Sequence, residues 1–154
     1  MGLYLSNALN FDKKLFCFLG YNGLRIEIDE GFKRHMDNIN GYAISCSVTV
    51  QVTHAFRKEG QEIGGTVVPP ASHSNHLVGH AIDFNLETPR GWCNGDCLSA
   101  QNNSNAKCFT DKIVADRNLR WGQSFNDPVH IDDDLWYSDS GTWTDLYYAN
   151  QNNC

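Results

Sequence analysis

Residues 73 to 85 read His-Ser-Asn-His-Leu-Val-Gly-His-Ala-Ile-Asp-Phe-Asn and contain the skeleton Ser74-x-His76-x-x-Gly79-x-Ala81-x-Asp83. A second piece, Asp127-Pro128-Val129-His130, answers it downstream. Together they offer two imidazoles and a carboxylate (His76, Asp83 and His130), with a spare carboxylate, Asp127, shortly before the last histidine. Two nitrogen ligands and one oxygen ligand suit divalent zinc, and three protein ligands leave a fourth position for water, as in catalytic rather than structural sites. Asp127 can then take the proton from that water as it attacks a carbonyl. The chain has six histidines, so chance triplets are easy and a metal-free polar cluster is the competing reading. Distinct roles for each member, and strand or turn signals around them, favour the metal.

Those signals also say what must position the groups. Ala81-Ile82-Asp83-Phe84-Asn85 alternates small or apolar with polar residues and reads as a strand with Ala81 and Asp83 on one face. Gly79 marks a turn that folds the loop carrying His76 back toward that strand. Pro128 fixes the approach of Asp127, and His130 lies between Val129 and Ile131. On a strand it points away from those two, toward a cleft while they face the core. Residues 44 to 54, rich in Val and Thr, read as another strand, which delivers His54 and Arg57 toward one end of the sheet.

The skeleton resembles the zinc peptidases of the D-Ala-D-Ala carboxypeptidase and L-Ala-D-Glu endopeptidase family, the VanY-like and phage-endolysin group. The similarity spans roughly residues 30 to 131. It implies that His76, Asp83 and His130 hold Zn2+ and that Asp127 is the general base. The family carries an arginine in a Gly-Tyr-Arg context upstream; here Ala55-Phe56-Arg57 stands in that place. The resemblance implies that Arg57 clamps a substrate carboxylate, for which a planar guanidinium is suited, and that Ser74 helps orient the peptide. Trp121-Gly122 matches a Trp-Gly common in the family, so Trp121 is expected to line the substrate groove while partly in the core. His80 occupies a position the family leaves variable and is expected to sit behind the ligands or to face substrate.

The rest of the chain bounds the reading. With 154 residues it is expected to form a single domain, a motif-bearing core of about 30–131 and an aromatic tail of 132–154. A net charge of −6 with scattered basic residues argues against a nucleic-acid partner, and no apolar run approaches a membrane span. Six cysteines favour disulfides and an oxidising compartment; the pairing is open. The start, Met1-Gly-Leu-Tyr-Leu-Ser-Asn, is not a convincing signal peptide, so a removed leader is expected. Residues 1 to 25 suggest a short helix or irregular wrap. A helix is expected from Asp29-Glu30 to about Ile39, ended by Asn40-Gly41, with His35 at its surface or end. Lys58 to Pro70 should be a loop over the cleft, 93 to 108 an exposed loop stapled by disulfide, and 109 to 118 a helix with Phe109, Ile113 and Val114 on one face. Asp132-Asp133-Asp134 reads as a solvated acidic turn, because its spacing is not that of a calcium loop. The tail aromatics are expected to pack on the rest of the chain.

The expected architecture is α+β, a small antiparallel sheet carrying a zinc cleft, flanked by helices and disulfide-stapled loops. The expected function is a secreted, monomeric zinc peptidase cutting peptidoglycan stem peptides. Two other classes compete: a zinc-containing binding module without turnover, as the similar fold of the hedgehog signalling domain allows, and a metal-free, disulfide-rich defence protein that binds cell-wall glycan.

Overall fold

A computed structural model describes residues 15–61 and 72–152. It begins with a two-stranded antiparallel hairpin, β1 (Leu15–Leu19) and β2 (Arg25–Asp29). The first of these replaces the helix or wrap expected there, and residues 1–14 lie outside the described residues. Asp29 ends β2 and caps α1 (Glu30–Ser45), its carboxylate accepting the Gly31 N–H at 2.8 Å. The helix buries Phe32, Met36, Ile39 and Ala43, a three-to-four-residue stripe. It does not stop at Asn40-Gly41. Gly41 faces open space, so its cost is only the ~1 kcal/mol of backbone freedom. Packing beyond it outweighs that: Ala43 and Cys46 are buried, Tyr42 donates its hydroxyl hydrogen to Asp116 at 3.0 Å, and Cys46 is bonded to Cys108.

The main sheet is antiparallel and runs β3 (Thr49–His54), β4 (Ala81–Thr88), β7 (His130–Asp132), β6 (Arg120–Trp121), with β5 (Gly91–Cys93) also paired to β4. The expected strand therefore starts at Thr49, because residues 44 and 45 belong to α1. Val50, Val52, Ile82, Phe84, Leu86 and Ile131 form the buried face, against α1 and α3 (Ser104–Ala115). Phe109 and Ile113 of α3 are fully buried; Val114, expected beside them, is 65% exposed, because it lies about 100° round the helix from Ile113. The expected loop at 93 to 108 is instead built from α2 (Gly95–Ala100) and the first turn of α3. Asn94 and Asn103 cap these two helices, and Leu98 anchors the segment in the core. The Cys93–Cys97 disulfide closes that corner. Cys154 and the Cys17 side chain lie outside the described residues.

The tail forms α4 (Leu135–Ser138) and α5 (Ser140–Asn152). Trp143 packs with Leu77 and Val78 in a small second cluster, while Tyr137 and Tyr148 are exposed, so the expected packing holds for part of the aromatic set. Gln151 donates to the carbonyls of Leu77 and Arg57, and Asn150 to that of Val78. The tail thus braces the 3-10 turn Asn75–Val78. That turn ends at Gly79, whose φ of 78° lies in the left-handed region and where a Cβ would stand 2.6 Å from the Asp29 nitrogen. Gly79→Ala is expected to destabilise the protein by roughly 2 kcal/mol or more, combining backbone strain with a clash. Urea denaturation checks this, and an unchanged midpoint would count against the tight seam between β2 and the 3-10 turn.

Candidate metal centre and substrate cleft

His76 reaches the site from the 3-10 turn, Asp83 from the middle of β4 and His130 from the start of β7, directly across from Asp83 in register. Their donor atoms form a tight triangle. His76 Nε2 lies 3.1 Å from Asp83 Oδ1 and 3.1 Å from His130 Nδ1, and His130 Nδ1 lies 3.3 Å from Asp83 Oδ1. Ligands at zinc distances around a tetrahedral ion stand roughly 3.3 Å apart. The cluster is therefore spaced to take such an ion with little movement, and two imidazoles plus one carboxylate are a suitable donor set.

The far nitrogens of both rings are engaged, which assigns the tautomers. His76 Nδ1–H donates to the Ala55 carbonyl at 2.7 Å, leaving Nε2 for the metal. His130 Nε2–H donates to Asp132 at 2.8 Å, leaving Nδ1. Asp132 is 2% exposed and is itself held by Arg120, which donates through Nε at 3.0 Å and Nη2 at 2.7 Å. The expected solvated acidic turn is thus overturned at its first two members. Asp132 orients the candidate ligand His130, and Asp133 is mostly covered and lies against His80 at 2.6 Å. A signal for Asp132 was present: two residues beyond His130 on one strand, it must share that face. Burial alone would raise the Asp132 carboxyl, but hydrogen bonds from His130 and Arg120 outweigh it and hold the group well below the ordinary carboxylate range.

Asp127 sits in the turn before β7. Its carbonyl accepts the His130 N–H at 3.1 Å and its own N–H donates to the Gly122 carbonyl at 2.9 Å. A Cβ on Gly122 would fall 2.2 Å from the Asp127 carbonyl oxygen, so a side chain there would push this turn apart. Asp127 Oδ1 is buried and has no hydrogen-bond partner among the described residues. Burial and then the neighbouring Asp83 charge raise its pKa, which makes it a better proton acceptor than a free aspartate. Trp121 donates its indole N–H to the Pro128 carbonyl at 2.8 Å and packs on the core. It braces the Asp127 turn and is not among the residues lining the cavity beside the metal ligands.

That cavity, of about 590 Å³, runs from His76 and Asp83 past His54, Arg57 and Lys58 to Glu27. Arg57 is half-buried and its guanidinium makes no hydrogen bond or ion pair with the described residues; burial pulls its pKa down and the Asp83 charge opposes this. Ser74 is placed as a cap, its hydroxyl oxygen accepting the His76 N–H at 3.3 Å. Of the expected loop over the cleft, residues 62–70 lie outside the described residues.

His80 does not face the cleft. It is 5% exposed, with Nδ1 donating to Asp133 and Nε2 3.3 Å from Asp29, so the substrate-facing reading is corrected to a buried link between the cap of α1 and the end of β7. Asn150 closes the cluster on the second Asp29 oxygen at 3.1 Å. His35, expected at the surface or end of its helix, is mostly covered inside α1 and lies 3.7 Å from Asp133. Burial pulls the His80 pKa down, but Asp133 and Asp29 outweigh it and push it up to about 9.

Two outcomes follow from these contacts. Asp132→Asn should weaken zinc affinity about 10- to 100-fold, measured by competition with a chromophoric chelator; unchanged affinity would show that His130 needs no such support. The raised His80 pKa contributes stability that is complete below the unfolded value of about 6.5 and is lost as pH rises through about 9. The His80 share of the fall in wild-type stability between pH 7 and pH 10 should therefore be on the order of 2 to 3 kcal/mol. His80→Gln should lose that share and keep the share due to other groups, and equal slopes in the two urea series would overturn the assignment.

Residues 69–133, under half the chain but including His76, Asp83, Asp127 and His130, match the family model described as D-alanyl-D-alanine carboxypeptidase. No curated protein and no solved structure matches the chain significantly. The matched stretch contains the whole candidate ligand set, so the likeness to that family, which the sequence pattern also suggests, falls on the residues of this site.

Proposed function

We propose that this protein is a zinc peptidase that hydrolyses amide bonds in the stem peptides of peptidoglycan. The observation that carries the reading is the juxtaposition of the three-donor triangle with a buried Asp127 oxygen that has no hydrogen-bond partner among the described residues. The family match supports a peptidase of the carboxypeptidase type. A zinc ion held by His76, Asp83 and His130 would polarise a carbonyl and lower the pKa of water toward about 7.

The chain's own groups supply the rest. Asp127 accepts a proton from the attacking water at its free carboxylate oxygen and returns it to the leaving amine. Arg57 offers the cavity a guanidinium with no partner among the described residues, suited to a substrate carboxylate in a two-hydrogen-bond grip. The cavity wall from β2 and the end of β3 orients the peptide so that its amide lies over the donor triangle. We place the working protein outside the cell, a reading supported by the disulfides Cys46–Cys108 and Cys93–Cys97, and expect it to act as a monomer. The second reading, a zinc-holding binding module without turnover, would require that Asp127 have no proton to accept.

Incubation with purified peptidoglycan, followed by mass spectrometry of the products, distinguishes these. Release of free D-Ala would mark a carboxypeptidase, and a cut between L-Ala and D-Glu an endopeptidase. Either activity should vanish with chelator and fall about 10²- to 10⁴-fold in Asp127→Ala. Stoichiometric zinc binding with no product released would instead favour the binding module.

A further inference from the structure

The strand that enters the cleft carries an irregularity placed at the metal ligand. β3 pairs with β4 as Thr49 with Glu87, Val50 with Leu86, Gln51 with Asn85 and Val52 with Phe84, and then skips a residue so that His54 rather than Thr53 stands across from Asp83. Thr53 is the extra residue of a β-bulge, and its hydroxyl donates to the Asp83 carbonyl at 3.2 Å, fastening the bulge to the ligand strand. Bulges bend a strand and re-aim side chains, and are frequent beside active sites. Beyond this one, the Ala55 carbonyl meets His76 Nδ1, and the Arg57 N–H donates to the His76 carbonyl at 3.1 Å.

The bulge also brings the His54 ring to the second oxygen of Asp83. Asp83 Oδ1 faces His76 and His130, while Oδ2 lies 3.8 Å from His54 Nδ1. The His54 side chain is 46% exposed and lines the cavity with Arg57. A carboxylate can ligate a metal through one oxygen or two. If both Asp83 oxygens turned to the ion, a bound water would become its fifth ligand rather than its fourth, crowding the position a substrate oxygen needs. We propose that His54 is a positioning residue of this centre: it engages Asp83 Oδ2, keeps the carboxylate ligating through Oδ1 alone, and leaves a coordination position open toward the cavity. The role needs only a hydrogen on Nδ1, which the neutral ring can carry. It rests on the metal-site reading above and extends it to a residue outside the ligand set.

Cobalt(II) replaces zinc in such sites and reports its coordination directly, because four-coordinate cobalt absorbs visible light severalfold more strongly than five- or six-coordinate cobalt. The full chain would be titrated with cobalt(II) as wild type, His54→Ala, His54→Gln and His54→Asn, with folding checked by circular dichroism. The asparagine amide nitrogen can stand where Nδ1 stands; the glutamine amide, one methylene further out, does not reproduce it. Wild type and His54→Asn should give the same intense bands, and the alanine and glutamine variants stoichiometric uptake with bands severalfold weaker. If His54→Ala does not fold, the Gln–Asn pair decides the matter alone. Equal spectra in all folded variants, or an asparagine variant as weak as glutamine, would overturn the role of His54 while leaving the metal site standing. A wild type that takes up no cobalt would overturn the metal reading itself.

Discussion

Two imidazole nitrogens and a carboxylate oxygen lie within 3.3 Å of one another in a half-buried cleft. Lone pairs cannot be held so close, away from bulk water, unless a proton or a cation lies among them. Without a metal, protons serve. Burial lowers the His130 pKa, but Asp132 and Asp83 outweigh it and push it to about 9. Burial likewise raises Asp83, and the two histidines outweigh that and hold it well below the carboxylate range. The triangle is thus built to hold positive charge. A divalent ion meets that demand better than a proton does, since one ion can bind all three donors together.

Keeping the donors there takes most of the surrounding structure. The Ala55 carbonyl turns His76, and the Arg120–Asp132 pair turns His130. The first depends on the bulge in β3 and the second on the short β6–β7 pairing, so each ring is aimed by a different strand. The 3-10 turn bearing His76 has little secondary structure of its own. It is held from one side by Gly79 against Asp29 and from the other by α5. The buried His80–Asp29–Asp133 link then ties the cap of α1 to the chain just beyond β7. Distant segments therefore share one polar seam behind the ligands.

The two faces of the candidate ligand set differ in kind. Behind it, side chains such as Asp132, His80 and Asn150 are almost fully covered and held by hydrogen bonds, while Asp133 Oδ1 and His35 Nδ1 have no partner among the described residues. In front, the half-buried Arg57 guanidinium has no partner among the described residues and lines the cavity between β2 and β3 together with His76 and Asp83. A charged group without a partner beside the donors makes that cavity the side suited to a charged substrate group.

The sequence alone singled out the three side chains that the fold brings together as candidate donors, the acidic group shortly before the last of them, the turn at Gly79, the strand bearing Asp83 and the mixed α+β architecture with disulfides. Each rests on local information: residue chemistry at fixed spacing, strand alternation or the left-handed freedom of glycine. Only the tertiary structure decided that α1 runs through Asn40-Gly41, because the burial of Ala43 and Cys46 and the bond to Cys108 outweigh a local stop signal. It alone put His80 between two aspartates, drew Asp133 out of a turn expected to be solvated, and made two helices of the cysteine-bounded segment. Asp132 falls between the cases. Its strand face was legible, but not the Arg120 fork that holds it. The bulge at Thr53 was wholly illegible, since register is a relation between two strands and neither encodes it alone.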